Sequence, residues 1–282
     1  VNGAVGLQVR AAGAVVAQRQ PDQPHYAAST MKLAVLGALL RAQAAGGFPD
    51  QLMVTDDFVS ADGGRFQIIQ ADDQDDLTWS CLGRSVRVDR LAERMIVLSS
   101  NLATDLLLEQ LGLAAVDLLL AEAGLTGQVV VRRLIGDARA EAHGISNTVT
   151  AAGVARRLIG DARAEAHGIS NTVTAAGLAR LLETLTDGSL LGEANAAVAA
   201  QILAGQTHRE MIPAGLPAGT WSASKGGWVD GVNHDVALVR PGTAPDYILA
   251  ICTSTGLSHD AGCALVAELS RITWEHWKQW HS

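Results

Sequence analysis

"AASTMKLAVL" (residues 27–36) is the stretch on which the reading of this chain turns. It sets Ser29 and Lys32 three residues apart, at the start of an apolar, Ala-rich helical pattern that runs to about Ala45 and stops at Gly46-Gly47. A spacing of three puts the hydroxyl and the amine on one helix face, one turn apart. At the first turn Ser29 feels the positive field of a helix N-terminus, which favours negative charge on an attacking oxygen. An amine serves as a base at neutral pH only where burial or a nearby cation lowers its pKa. Taken alone, the pair reads more readily as a capping serine and a surface lysine. The flanking chain has to decide.

Upstream, residues 4–19 read as two short strands joined by a turn at Ala12-Gly13. Downstream, helical periodicity recurs over 86–99, 102–112, 113–124 and 174–185, the last opened by Thr174 as its cap. Residues 56–84 are loop-rich, and their acidic cluster "ADDQDD" (71–76) reads as a solvated loop. Strand character returns over 220–224, 234–240 and 247–255. A last amphipathic helix, about 259–280, carries Trp274, Trp277 and Trp280 on one flank, expected to pack on a sheet. Strands at both ends with helices between predict an α/β fold: a discontinuous α/β domain (1–27 and 216–282) interrupted by a helical domain (28–215). Junctions between such units commonly hold active sites.

Composition narrows the function. With 282 residues, 48% of them hydrophobic and 18% charged, the chain can bury a full core and is not disordered. A formal charge of −8 argues against nucleic acid or an anionic membrane as partner and favours a small-molecule substrate. No apolar run reaches ~18 residues, so no membrane span is expected. The first residue is Val1, which we read as a leader or tag already removed. Cys81, Cys252 and Cys263 are widely spaced and odd in number, and read as buried free thiols. Neither metal-ligand spacing nor a phosphate loop is present, so no cofactor is expected.

Two further segments decide what Ser29 and Lys32 are. "VLSSNLATDLLL" (97–108) puts Ser99, Ser100 and Asn101 just ahead of a helix, and "SASKGGWVDGVNHDVALV" (222–239) puts Lys225-Gly226-Gly227 at the end of a predicted strand. Three segments in this order, on helix, loop and strand, resemble the penicillin-recognising serine hydrolases, specifically class A β-lactamases, over nearly the whole chain. The resemblance implies a three-layer α/β/α sandwich with an antiparallel sheet and an inserted helical domain. It implies Ser29 as the nucleophile that becomes acylated and Lys32 as an aid in removing its proton. Ser99 matches the hydroxyl that relays a proton to the leaving nitrogen, Asn101 the amide that holds the substrate, and Lys225 the cation at the strand edge. Backbone N–H groups of Ser29 and Trp228 would form the oxyanion hole, beside Gly226 and Gly227. Members of the family are usually exported.

Departures from the pattern matter as much. Ser100 stands where the family usually has Asp, so a loop-stiffening carboxylate is missing. Gly226 stands where a Thr or Ser hydroxyl normally meets the substrate's carboxylate. No arginine occupies the usual anchor positions; Pro213 in "MIPAGLP" and His234 in "VNHD" stand there instead. His234, when protonated, is a candidate replacement, and a structural histidine is the equal alternative.

The 22 letters "RRLIGDARAEAHGISNTVTAAG" fill residues 132–153 and return without a substitution at 156–177. In the family the loop here carries a glutamate that activates the deacylating water. The usual Glu-x-x-x-Asn spacing is absent from both copies, which leaves Glu141 and Glu165 as insecure candidates, read more readily as solvated charges. We read the repeat as a tandem duplication. It predicts an extra helical excursion near the rim of the site, over about 148–166, or exchange of the segment between protomers as a domain-swapped dimer; a monomer is the alternative. A displaced loop would slow deacylation more than acylation. The leading reading is therefore a β-lactamase-like hydrolase of β-lactams or related amides and esters, with weak turnover. Its rivals are a penicillin-binding protein that acylates and stalls, and a non-catalytic relative.

Overall fold

The computed structural model describes residues 3–137, 139 and 171–281. Strands β1 (Gly3–Ala11) and β2 (Ala14–Arg19) form the expected hairpin, turning at Ala12-Gly13. A short β3 (His25–Tyr26) and a 3-10 turn (Ala28–Met31) lead into α1 (Lys32–Ala44). Small strands β4 (Gln51–Met53), β5 (Asp57–Val59) and β6 (Arg65–Gln67), the one-turn α2 (Asp76–Trp79) and β7 (Ser85–Arg87) carry the chain to the helices α3 (Val88–Val97), α4 (Asn101–Leu111) and α5 (Leu113–Glu122). After β8 (Val129–Val130) and β9 (Thr172–Val173) come α6 (Ala175–Thr186) and α7 (Glu193–Ala204). The chain closes with β10 (Trp221–Val229), β11 (Val232–Arg240), β12 (Tyr247–Thr255) and α8 (His259–His281). None of the described helices is long and apolar enough to cross a membrane.

The two ends of the sequence share one antiparallel sheet, in the order β10-β11-β12-β1-β2. Alternation along β12 explains why its apolar run is nearly continuous. Tyr247, Leu249 and Ile251 point to the face covered by α8, while Ile248, Ala250 and Cys252 join the core under the helices on the other face. Trp277 of α8 lies buried against Tyr247, its Nε1 donating to Pro245 O at 3.0 Å, and Trp274 packs partly beside it. Those two indoles fulfil the packing expected of them; the Trp280 side chain lies outside the described residues. On the opposite face α6 lies over β1, β11 and β12, its first turn capped by Thr174 Oγ1, which accepts from Gly177 N at 2.9 Å. The first nine residues of α1, Lys32 among them, are all buried, so this helix is enclosed around its whole circumference and forms the axis of the helical layer.

Several element boundaries differ from expectation. The strand expected over 220–224 runs to Val229, because residues 225–228 pair in register with 233–236 of β11. Lys225 thus sits mid-strand and not at a strand end. Helix α7 has no counterpart in the sequence reading; its Ala-rich run lacks the polar face that marks periodicity. Cys252 and Cys263 are buried free thiols as expected, whereas Cys81 is half-buried. The doubled segment closes with the head of one copy against the tail of the other. Asn171 Oδ1 accepts from Arg132 N at 2.6 Å and Arg133 N at 3.2 Å, and its Nδ2 donates to Arg133 O. The helical excursion expected over 148–166, with Glu141 and Glu165, lies outside the described residues.

Candidate active site

Ser29 lies half-buried in the 3-10 turn, not in the α-helix itself, which starts at Lys32. The residue before it, Ala28, has φ 44°, and Ser99 has φ 57°. A left-handed backbone at non-glycine residues costs about 1–3 kcal/mol each and gathers at functional sites. Ala28 adjoins Ser29 and Ser99 is strained itself, so both left-handed residues lie in segments that carry a candidate hydroxyl.

Between those segments stand two amines. Lys32 and Lys225 are both fully buried, yet both are paired. Lys32 Nζ donates to Ser99 O at 2.6 Å and Asn101 Oδ1 at 2.9 Å, and it lies 3.3 Å from Ser99 Oγ. Lys225 Nζ approaches the same hydroxyl from β10 at 3.0 Å and donates to Gly226 O at 2.6 Å. Burial pulls the Lys32 amine down to about 7, against the opposing pull of the Asp73 and Asp105 carboxylates. Lys225 is held well below the usual lysine range, by burial first and then by the charge on Lys32. At neutral pH a large share of Lys32 is therefore the free amine. Any acylation that uses it as a base should rise with pH through a midpoint near 7, falling about tenfold per unit below it. The pH dependence of the second-order acylation rate measures this; a flat profile from pH 5.5 to 8.5 removes Lys32 from the role.

Asp73 is the residue that sequence reasoning missed. The cluster at 71–76, read as a solvated loop, instead folds onto the start of α4. Asp73 accepts from Asn101 N at 3.0 Å, Leu102 N at 2.8 Å and Trp79 Nε1 at 3.0 Å, with Ser100 Oγ at 3.4 Å. Asp72 O receives Asn101 Nδ2 at 2.8 Å, and buried Asp75 caps α2. Ser100 caps α4 through Ala103 N. The carboxylate missing at position 100 is thus supplied from another loop, a substitution visible only when both loops are placed. Asp73→Asn leaves one acceptor oxygen for several donors. We expect a stability loss of about 1.5–3 kcal/mol by thermal melting. The acylation midpoint should also move to lower pH, because Asp73 is a charge that holds the Lys32 amine up. An unmoved midpoint would separate Asp73 from the reaction.

β10 is a free edge of the sheet. Among the described residues its outward backbone has no strand partner, and it passes the turn that carries Ser29. The approach is tightest at Gly227, where a Cβ would stand 2.7 Å from Ser29 N and 2.8 Å from Thr30 N. Gly226 is less confined, its nearest neighbour being the flexible Met211 Cε at 2.7 Å. Trp228 follows, half-buried, with its indole between the rings of His208 at 4.8 Å and His259 at 5.6 Å. Asn101 and Ile135 line a cleft of about 220 Å³ with Ile68, Ile69 and Asp72. A larger cavity of about 820 Å³ lies along α8, far from this chemistry, so side chains and not volume locate the site.

A domain-length family model, the Beta-lactamase enzyme family, matches residues 3–277. The chain belongs to that family. Its fold is the β-lactamase/transpeptidase-like one, and it is a β-lactamase-like serine hydrolase by membership. Among solved structures, a variant of the last common ancestor of Gram-negative bacteria class A β-lactamase shares 25% identity over 99% of this chain and 94% of its own, with TM-score 0.77. The β-lactamase from Sphaerobacter thermophilus DSM 20745 shares 21%, covering 99% and 93%, with TM-score 0.74. PBP-A also shares 21%, covering 99% and 91%, with TM-score 0.73. No curated protein matches.

Of the two alternatives held for His234, its surroundings favour the structural one. His234 is wholly buried on β11, one strand inside the edge. Its Nε2 faces Tyr26 O at 2.8 Å and its Nδ1 accepts from Thr253 N at 3.0 Å, an arrangement that requires the neutral Nε2–H tautomer. The His25 ring stands edge-on at 5.3 Å, and burial drives the His234 imidazole down to about 3. A neutral, walled-in ring is no anchor for a carboxylate. His234 is the structural histidine of the two alternatives.

Proposed function

We propose that the protein takes a β-lactam, or a related strained amide or ester, into covalent linkage on Ser29 and releases it slowly. Lys32 as the free amine takes the Ser29 hydroxyl proton, and the oxygen attacks the carbonyl carbon. The carbon–nitrogen bond of the ring breaks, and Ser99, between the two amines, passes a proton to the leaving nitrogen. N–H groups of Ser29 and Trp228 would hold the oxyanion, each worth about 3 kcal/mol. Asn101 would hold the substrate's amide. The observation that carries this reading is the pair of buried, depressed amines on one hydroxyl, 3.3 and 3.0 Å away.

Slow release is supported by the cleft wall. Ile68, Ile69 and Ile135 line the same cleft as Asn101, and the apolar Ile135 is drawn in by its N–H, which donates to buried Asp105 at 2.8 Å. Among the described lining residues Asp72 is the one carboxylate beside these three isoleucines, so the wall offers an attacking water few bases. The same observation favours a second reading, a penicillin-binding protein that acylates and stops. A mutant of PBP-A is itself known as an acyl-enzyme complex with penicillin G. Gly226 without a hydroxyl and His234 without a charge leave the substrate's carboxylate weakly held, which supports low affinity.

Incubation with a chromogenic cephalosporin and a fluorescent penicillin, followed by intact mass and peptide mapping, tests the reading. The expected result is one equivalent of adduct on the peptide containing Ser29, formed faster than it is lost, with slow colour thereafter. Fast sustained colour without adduct would overturn slow release. Neither adduct nor colour would overturn the reaction.

A further inference from the structure

Outside the acylation machinery, three potential metal ligands meet behind Trp228. His259 and Cys263 are four apart on the first turns of α8 and so share a face. Glu210 reaches them from the segment before the 3-10 turn Ile212–Gly215. One ligand atom from each of the three lies within 4.8 Å of the others. Cys263 Sγ is 3.6 Å from His259 Nε2 and 3.7 Å from Asn233 Oδ1. A tetrahedral ion with bonds of about 2.3 Å to sulfur and 2.0–2.1 Å to nitrogen separates those two atoms by roughly 3.5 Å. The cysteine and histidine therefore stand at ligand spacing already, and the exposed Glu210 has freedom to close the third contact.

We propose that Glu210, His259 and Cys263 bind a divalent transition ion of the zinc class, with a fourth position open to water or ligand. The thiolate–imidazole–carboxylate set suits such an ion and not magnesium or calcium, which take oxygen ligands. The spacing rules that pick out metal sites in sequence miss it, because Glu210 is far along the chain from His259. Its position ties it to the cleft rim. Glu210 lies 3.9 Å from His208 Nδ1, and His208 and His259 flank the Trp228 indole. An ion that fixes Glu210 and His259 fixes the mounting of that indole, one residue beyond Gly227.

Titration of the full chain with Co²⁺ alone tests the site. One equivalent should produce a thiolate-to-cobalt charge-transfer band and the visible bands of four-coordinate Co²⁺, a change in tryptophan fluorescence, and displacement by Zn²⁺. Cys263→Ser should abolish the charge-transfer band. Glu210→Gln, at an exposed side chain, should keep the fold and weaken Co²⁺ binding about tenfold or more. His259→Gln, also exposed, should do the same, so the test stands even if the Cys263 variant fails to fold. Absence of the band in the unmodified protein, its survival in Cys263→Ser, or unchanged affinity in Glu210→Gln would each overturn the assignment. None of these readouts depends on acylation.

Discussion

Ser29→Ala is expected to abolish covalent capture of penicillin while leaving the protein as stable as before. Both halves follow from the position of the side chain. Ser29 is half-buried, and its hydroxyl makes no hydrogen bond among the described residues, so truncation removes one solvent-accessible oxygen and no partner. Changes of that kind usually stay within about 0.5 kcal/mol. Chemistry responds differently, because the other hydroxyls nearby are already engaged. Thr30 is fully buried and gives its proton to Ala27 O, and Ser99 is engaged by both amines. Loss of a nucleophile that acts with its base as a unit lowers the rate on the order of 10⁴-fold or more. Intact mass after hours with penicillin reads the first half, and thermal melting the second. An adduct persisting in Ser29→Ala would move the nucleophile elsewhere. A large fall in melting temperature would make Ser29 a structural serine.

Gly227→Val carries the second large effect, and it acts through space. The added Cβ would meet Ser29 N, Thr30 N and, at 3.2 Å, Ala28 Cβ. The first two belong to the backbone of the turn that carries the nucleophile and the third is fixed directly to it, and that turn is already held at a positive φ in Ala28. It has no flexible side-chain end to yield, so it must shift away from the strand edge. Overpacking of this kind costs about 1–3 kcal/mol in stability. Displacing one oxyanion donor should lower acylation about 10²–10³-fold. Gly226→Ala is the matched control: its Cβ is crowded by the end of Met211, which can rotate, and otherwise meets His234 O and Asp235 Oδ1 at ordinary contact distances of 3.7 and 3.9 Å, so acylation should change less than about threefold. Stopped-flow acylation with a fluorescent penicillin separates the two variants. Equal rates in both would show that contact with β10 does not position Ser29.

How much of this was legible beforehand depends on the range of the interaction that carries each feature. Ser29 and Lys32 are three residues apart, so their spacing alone places them within one turn of chain. The hairpin at Ala12-Gly13, the cap at Thr174 and the paired faces of β12 are equally local, written in periods of two and 3.6. Three ordered motifs sufficed to indicate the family. Properties set by burial were not written that way. The Lys32 amine near 7 exists because Ser99, Asn101 and the buried helical layer enclose it. His234 carries the same letter whether it faces substrate or core, and only its place one strand inside the edge made it neutral.

The sequence by itself therefore determined the α/β class, indicated that its two ends share one sheet layer, and pointed to the hydroxyl and amines proposed for the reaction. These rest on hydrophobic periodicity and short-range spacing, which survive as patterns in the letters. Tertiary structure alone decided that Asp73 replaces the carboxylate absent at Ser100, that Ile135 walls the cleft, and that Glu210 meets Cys263. Each is a contact between segments tens of residues apart, where desolvation and charge act across space. No local pattern encodes such a distance.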